Sequence, residues 1–472
     1  MQKQEDEMNL VYNVEDRPRF GQTVVFAIQQ LLAILAATIA VPAIVGNGMS
    51  QSAALFGAGV GTIVYLLFTK FKSPVFLGSS FAFIGSMFAA FAGGVSMQMG
   101  YLGMIIGAIF AGLVYVVIAI VVKFAGVRWI NYLMPAVVIG PTVAIIGLSL
   151  AGNAVSDALG GAFDADAGAF VMTGHAWACF VCAMVTLLVV CLCSVFGKKM
   201  VKLIPFIIGI VAGYIVAVIF TLIGKASGNE ALMIIDFSAF AAMKWVPSFT
   251  FLTALGGFKE LSGTYIATIA VAYIPVAFVV FAEHIADHKN LSSIIGRDLL
   301  EKPGLHRTLL GDGVGSMVGA FFGGCPNTTY GESVGCVAIT GNASVVTILC
   351  TAVIAIIASF LGPFVTFLST IPGCVMGGVC ITLYGFIAVS GLKMLQPVDL
   401  NDNRNLFTAS TIFIAGIGGM VLKIGQVTLT EVAVALILGI IVNLILRGKG
   451  KEKAGMIDPE DEDPKKRSQK TE

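Results

Sequence analysis

The sequence predicts an all-α polytopic membrane protein with fourteen transmembrane segments, arranged as two inverted repeats of seven. Its composition, the placement of its basic residues and two interrupted segments support this prediction. Of the 472 residues, 57% are hydrophobic and only 12% are charged, and the mean hydropathy is +0.93. A soluble chain of this length cannot bury that much apolar surface. The short alternating segments of a transmembrane barrel are not seen, so membrane-spanning helices are expected.

Each spanning helix needs roughly 20 apolar residues. Segments three and ten are poor spans because they contain the polar stretches "FLGSSFAFIG" and "CPNTTYGESVG". Residues 226–262 are mixed in character and are placed outside the membrane. The fourteen segments are predicted at 22–45, 51–69, 75–92, 101–122, 130–151, 170–195, 203–224, 265–286, 308–323, 328–341, 343–362, 364–390, 405–422 and 427–446.

The basic residues predict the orientation of these segments. With the N-terminus in the cytoplasm, most Lys and Arg residues outside the tails fall in cytoplasmic connections. The opposite side receives only Lys225, Lys244, Lys259 and Lys423. This is the positive-inside pattern of membrane proteins, and it places both tails in the cytoplasm. The net charge of +1 gives no reason to expect a nucleic-acid partner.

The two poor spans occupy matching positions, each third in its half of the chain. Seven is an odd number, so the two halves enter the membrane from opposite sides and form an inverted repeat. Paired interrupted segments in such repeats indicate a binding site near the bilayer midplane. We expect each to run extended and then continue as a half-helix, whose N-terminus and free backbone N–H groups face a ligand. Poor helices or surface loops are the alternative.

Carboxyl groups at membrane depth are candidates for function because their burial is costly. Glu283 ends an apolar run, Asp287 follows one helical turn later, and Glu332 lies in the tenth segment. A protonated carboxyl presents a donor beside an acceptor, which matches the N–H and C=O edge of an oxo-substituted heterocyclic base. Two neighbouring carboxyls also oppose each other's ionisation, which would suit proton coupling. Carboxyls satisfied by hydroxyl or amide groups are the structural alternative.

Other polar residues are weaker candidates for a functional role. Asp312, in "LLGDGVG", fits a turn or cap as well as a functional role, and Glu431 fits the rim of the membrane. His284 and His288 have metal-ligand spacing, but the Glu that follows the first His in zinc proteases is absent. We expect solvated histidines, or histidines that support site residues, and no metal. The chain has no phosphate-binding loop, and no cofactor is expected. Glycines such as Gly57 and Gly61 are assigned to helix packing.

Five stretches of this chain resemble the nucleobase–ascorbate transporter family, also called nucleobase:cation symporter 2. They are "QQLLAILAATIAVPAIVG", "GSSFAFI", "AEHIADH", "EKPGLHRTLLGDG" and "PNTTYGESVGCVAITG". The last is the most specific, because Glu332, Gly335, Thr340 and Gly341 match the family signature. The "PNTTYG" stretch followed by Glu332 is similar to the uracil-type subgroup.

The resemblance implies a permease of the plasma membrane that imports uracil with protons and forms a homodimer. It implies that Glu283 and Glu332 bind the base through their side chains. The backbone around Phe81, Tyr330 and Gly331 would add amide hydrogen bonds. Proton coupling would fall on Asp287, Glu283 and Glu332. The implied units are an N-tail at 1–20, a core domain at 21–125 and 263–362, a gate domain at 126–262 and 363–447, and a disordered C-tail at 448–472.

Three residues depart from the family pattern. Ser333 replaces the Asn of the signature, Gln30 stands where His is common, and Asp287 stands where some uracil permeases have His. A permease for xanthine, uric acid or thymine is one alternative. An anion transporter or channel of the same architecture is another, but neither interrupted segment contains the cationic residue that it would need. An intramembrane enzyme is not expected, because we find no nucleophile or metal constellation.

Overall fold

The computed structural model describes residues 10–126, 128–198, 200–241, 243–424 and 427–446. Helices dominate it. The predicted disordered C-tail and the first nine residues of the predicted N-tail lie outside the described residues. The helices are α1 Phe20–Val45, α2 Gln51–Phe68, α3 Ile84–Phe91, α4 Met97–Ala125, α5 Arg128–Leu133, α6 Ala136–Ser149, α7 Ala151–Ala158, α8 Gly174–Phe196, α9 Met200–Leu203, α10 Pro205–Ser227, α11 Thr250–Ala254, α12 Gly263–Ile295, α13 Leu305–Gly323, α14 Gly331–Thr340, α15 Val345–Ala358, α16 Gly362–Ser369, α17 Gly373–Leu395, α18 Asn403–Ile417 and α19 Glu431–Leu446.

The described part of the chain is mostly helical, as predicted, and it also contains three antiparallel pairs of short strands. One pair joins distant parts of the sequence, and the other two are local hairpins. The strands are β1 Leu77–Ser79 paired with β4 Asn327–Thr329, β2 Phe163–Asp164 paired with β3 Ala169–Phe170, and β5 Leu422–Ile424 paired with β6 Val427–Leu429.

Eight helices in the described part of the chain are long and apolar enough to cross a membrane. They are α1, α2, α4, the continuous run Ala136–Ala158, α8, α10, α12 and α17. Helices α15 and α16, bent by 83° at the break between them, would together make a ninth. The chain is therefore a multi-pass membrane protein, whereas the predicted count of fourteen segments stays a prediction.

Several helix ends differ from the bounds of the predicted segments. The eighth segment was predicted to end at 286, but α12 continues to Ile295 because its polar last turns are partly buried in the protein. The twelfth, predicted at 364–390, is divided into α16 and α17 at Pro372, which disfavours helix at the residue before it. The fourteenth begins as β6, and its helix begins only at Glu431.

Glycines bring α2 and α13 close together beside the interrupted segments. A methyl group on Gly57 would lie 2.5 Å from the carbonyl oxygen of Gly319, and one on Gly61 would lie 2.7 Å from that of Gly315. Helices in a membrane associate most closely where such small residues meet. The prediction that Gly57 and Gly61 serve helix packing is confirmed.

A short N-terminal strap, residues 11–16, lies against the connection between α14 and α15. Val11 N donates to Gly341 O at 2.8 Å, and Ala343 N donates to Tyr12 O at 2.9 Å. Val345 N donates to Val14 O at 3.1 Å, and the Val14 side chain is buried. This described part of the predicted N-tail is thus an ordered part of the fold.

Candidate functional site

The two interrupted segments meet as strands. β1 and β4 pair antiparallel, with Leu77 opposite Thr329 and Ser79 opposite Asn327. Each strand leads directly into helix, the first through a 3-10 turn at Phe81–Phe83 into α3 and the second into α14 at Gly331. The predicted extended-then-helical course is confirmed, and the alternative of surface loops is wrong. The pairing satisfies part of the backbone N–H and C=O groups of both strands. No water is available to bond these groups at membrane depth.

Side chains hold these strands in place. The Thr62 hydroxyl of α2 accepts a hydrogen bond from Leu77 N at 2.9 Å. The Tyr330 hydroxyl donates to the carbonyl oxygen of Ser79 at 2.6 Å. Gly78 is required beneath the Tyr330 ring, because a Cβ there would collide with it. The Tyr330 side chain is therefore a clamp between the two interrupted segments, a role that the sequence did not reveal.

A cavity of about 60 Å³ opens where the two strands pass into helix. All five residues predicted to bind substrate line it: Glu283, Glu332, Phe81, Tyr330 and Gly331. The sequence placed these residues on three separate segments, and the structure brings them together. Their roles in binding stay predictions.

The cavity has one polar side and one apolar side. Ser80, Thr328 and Thr329 add hydroxyl groups beside the two carboxyls, whereas Val143 of α6 and Ile387 of α17 are apolar. None of the described residues that line the cavity is Lys or Arg. Such a lining suits a flat, uncharged ring with polar edges, since buried anions in proteins are paired with cations or donors.

The two glutamates are presented differently. Glu332 lies in the first turn of α14, where the helix dipole favours negative charge or a strong acceptor. Glu283 lies in the middle of α12. Asp287 lies one turn further along α12 and is absent from the cavity lining, but its Oδ2 accepts a hydrogen bond from the Thr329 hydroxyl at 2.8 Å. Asp287 is thus tied to β4, behind the cavity.

Asp312 is neither a turn residue nor a cap, which corrects one of the two interpretations of its sequence. It lies in the middle of α13 with only 1% of its surface exposed, because it pairs with a histidine of α12. Its Oδ2 lies 2.7 Å from His284 Nδ1, and Thr308 Oγ1 lies 3.0 Å from His284 Nε2. The i, i+4 spacing of Thr308 and Asp312 was the available signal, since it puts both on one helical face.

His288 extends this buried network toward α2. Its Nδ1 donates to the carbonyl oxygen of His284 at 2.8 Å, and its Nε2 lies 2.7 Å from the Tyr65 hydroxyl. That hydroxyl also lies 2.7 Å from Ser73 Oγ. Both histidines are fully buried, so the expectation of solvated histidines is wrong. Protein atoms engage all four ring nitrogens, which makes these histidines supports for α12 and not available ligands.

Two of the three departures from the family pattern contact each other. Gln30 Nε2 donates to Ser333 Oγ at 2.6 Å and to Ser333 O at 3.3 Å. Ser333 Oγ also accepts from Phe76 N at 3.2 Å. Gln30 and Ser333 are buried, and together they join α1, the residue before β1 and the first turn of α14. The two departures therefore form one structural unit next to Glu332.

We expect this unit to behave as a coupled pair. Gln30→Ala and Ser333→Ala should each lower stability by roughly 1–2 kcal/mol, because each leaves a buried polar partner without its hydrogen bond. Combined, they should cost less than their sum, by about 1 kcal/mol. Thermal unfolding of the four purified proteins measures this coupling. Gln29→Ala, at the half-buried preceding residue, is the control; additive effects of Gln30→Ala and Ser333→Ala would contradict the pairing.

Comparison with known proteins identifies the family of this chain. The model of the Permease family, Xan_ur_permease, matches residues 21–425, most of the chain. The chain belongs to this family. The resemblance to the nucleobase–ascorbate transporter family is thereby confirmed. Members are permeases, so the protein is a transporter and not an enzyme.

Curated relatives match over nearly their whole length. The chain is 43% identical to the uracil permease of Bacillus caldolyticus, covering 93% of this chain and 95% of the relative. It is 39% identical to that of Bacillus subtilis (strain 168), covering 93% and 96%. It is 34% identical to that of Escherichia coli (strain K12), covering 92% and 93%.

Solved structures share the fold at low sequence identity. The transmembrane domain of the cyanobacterial bicarbonate transporter BicA superposes with a TM-score of 0.61 at 15% identity, covering 91% of this chain and 99% of that domain. The murine anion transporter Slc26a9, in its inward-facing state, gives 0.63 at 11% identity, covering 92% and 69%. These similarities establish the transporter fold alone and carry no information on the substrate.

Proposed function

We propose that this permease imports uracil by proton symport across the plasma membrane. The observation that carries the proposal is the convergence of Glu283 and Glu332 on one cavity without a cationic lining residue. The identity to uracil permeases supports the choice of base. An anion as substrate is disfavoured, since the cavity supplies no cation to pair with it.

In this proposal the base lies flat between the polar and apolar sides of the cavity. Glu283 accepts from ring N–H groups, and a protonated Glu332 donates to a ring carbonyl oxygen while accepting from the neighbouring N–H. The backbone around Phe81, Tyr330 and Gly331 supplies further hydrogen bonds. The Phe81 ring packs edge-on against Tyr384 of α17 with centroids 6.1 Å apart, which fixes its orientation beside the site.

The same proposal includes fourteen segments in two inverted repeats, with core and gate domains at the predicted boundaries. The antiparallel pairing of β1 with β4 supports it, because two equivalent segments related by a two-fold axis in the membrane plane run antiparallel. The cavity lies between residues assigned to the core and three assigned to the gate, Val143, Ile146 and Ile387. Movement of core against gate would expose the base to either side. Both termini are placed in the cytoplasm, and the assembly is a homodimer.

Uptake by proteoliposomes tests the function. An inward proton gradient is expected to drive accumulation of labelled uracil, and a sodium gradient at constant pH is not. Unlabelled uracil should compete more strongly than xanthine, uric acid or thymine. Accumulation that follows sodium would refute proton symport, and stronger competition by xanthine would refute uracil as the main substrate.

Asp287 is expected to couple proton movement to the site through β4. Asp287→Asn retains an oxygen that accepts the Thr329 hydrogen bond but cannot take up or release a proton. The variant should therefore exchange labelled for unlabelled uracil at near-normal rate, yet lose accumulation driven by a pH gradient. Counterflow and gradient-driven uptake, measured on the same vesicles, separate the two. An Asp287→Asn protein that still concentrates uracil would show that coupling depends on other groups.

A further inference from the structure

A second cavity lies on the outer surface of the helix bundle, away from the site at β1 and β4. It is a groove of about 380 Å³ between the C-terminal ends of α2 and α4 and the N-terminal end of α13. Its lining carries three basic side chains, Lys123, His306 and Arg307. No described residue that lines it is acidic. We call this feature the basic groove.

The remainder of the basic groove is apolar and open to the surroundings. Ile120 and Phe124 of α4 are 51% and 80% exposed, and Phe68 of α2 lies across from them. In a helix bundle that spans a membrane, side chains exposed on the outside contact acyl chains. The groove thus combines a hydrocarbon-facing floor with a cluster of positive charge at its end.

The basic side chains are positioned toward the groove. Arg307 Nη1 donates to the Phe68 carbonyl oxygen at 3.5 Å, which draws the guanidinium across to α2. Lys123 Nζ lies 5.5 Å from the centroid of the Phe124 ring. In the part of the chain that the structure describes, neither Lys123 nor Arg307 forms a salt bridge with an acidic residue. Their charge is available to an anion from outside the protein.

The three helix ends lie at the same membrane surface in the predicted orientation. The positive-inside pattern puts the ends of segments two and four and the start of segment nine in the cytoplasm. Basic pockets between helices on that side match the phosphate of anionic lipids in the inner leaflet. A soluble anion would make no use of the exposed apolar floor.

We propose that the basic groove binds one anionic phospholipid of the inner leaflet. Its phosphate lies among Lys123, His306 and Arg307, and one acyl chain runs along Phe68 and Ile120. The two permanently charged residues provide most of the selectivity for an anionic over a zwitterionic headgroup. The lipid fills the space between α2, α4 and α13, so its binding stabilises the packing of α2 against α13, the helices that precede the two interrupted segments.

The test uses the purified full-length chain in detergent with added lipid. Native mass spectrometry and thermal unfolding should show that phosphatidylglycerol binds and raises the unfolding temperature, whereas phosphatidylcholine and inorganic phosphate do so far less. Each cation near a lipid surface contributes about fivefold in affinity. The double variant Lys123→Gln/Arg307→Gln should therefore bind phosphatidylglycerol roughly 25-fold more weakly, which the same two measurements determine.

Two further variants keep the test decisive. Lys393→Gln/Arg404→Gln removes one Lys and one Arg from exposed positions outside the groove and should leave lipid binding unchanged. The exchange Lys123→Arg/Arg307→Lys keeps the charge and should retain most of the binding. Equal weakening in the Lys393/Arg404 variant, equal stabilisation by phosphatidylcholine, or equal stabilisation by inorganic phosphate would each overturn the proposal. None of these measurements involves uracil, so they are independent of the proposed transport.

Discussion

The Glu283→Gln variant is expected to lose high-affinity uracil binding by roughly 100- to 1,000-fold, about 3–4 kcal/mol. In the proposed arrangement Glu283 accepts hydrogen bonds from N–H groups of the ring. The amide keeps the size of the side chain but replaces one acceptor oxygen with a donor, which then faces another donor. The loss combines a charge-assisted hydrogen bond with a buried polar group left unpaired. Equilibrium binding of labelled uracil to purified protein measures the change.

Glu332→Gln provides an internal comparison. If Glu332 is protonated when uracil binds, Gln reproduces its donor and acceptor. Affinity should then fall by no more than about tenfold, which corresponds to the net free energy of one hydrogen bond. Glu260→Gln, at an exposed residue that does not line the cavity, should have no effect. Normal affinity in Glu283→Gln would refute its assigned role. A larger loss in Glu332→Gln than in Glu283→Gln would reverse the assignment of the two carboxyls.

Gly319→Leu is expected to prevent correct assembly of the protein. A Cβ at Gly319 would collide with the side chain of Asn327, whose Nδ2 donates to the Gly57 carbonyl oxygen at 3.0 Å. Overpacking costs about 1–3 kcal/mol, and losing the buried Asn327 hydrogen bond adds about 1–3 kcal/mol. The total is a large part of the stability of an ordinary folded domain. We expect little monodisperse protein after solubilisation, measured by fluorescence-detected size-exclusion chromatography.

Gly385→Leu is the matched control for this substitution. Gly385 lies within α17 and is exposed, and a methyl group placed on it would have no neighbouring segment within 4 Å. Leucine is also a better helix former than glycine. The control should assemble normally. Normal assembly of Gly319→Leu would show that α2 and α13 do not need their close approach.

The sequence predicted the centre of this molecule well, for a physical reason. "GSSFAFIG" and "CPNTTYGESVG" conflict with a continuous apolar helix, and only paired or cavity-lining backbone can tolerate them at membrane depth. Glu283 and Glu332 were selected as site residues because burying a carboxyl is costly, and both line the cavity. These are local signals, and a single segment is enough to recognise them.

The surroundings of the site were harder to predict, because they depend on contacts between distant segments. Solvated side chains were one expectation for His284 and His288, but α2 and α13 cover both histidines. The partner of Asp312 could not be predicted from the sequence, because His284 lies on a different helix, α12. The contact between Gln30 and Ser333 joins residues 303 positions apart. Pro372 was different: its effect on the twelfth segment is local, and the sequence contained that signal.

The N-terminal strap imposes an order on the biosynthesis of this protein. Residues 11–16 leave the ribosome before their hydrogen-bond partners at 341–345, which are translated more than 300 residues later. The strap therefore waits in the cytoplasm, on the proposed topology, until most of the chain has been inserted. Its docking onto the end of α14 must follow the synthesis of residues 341–345, so residues made early help to complete the half-helix that carries Glu332.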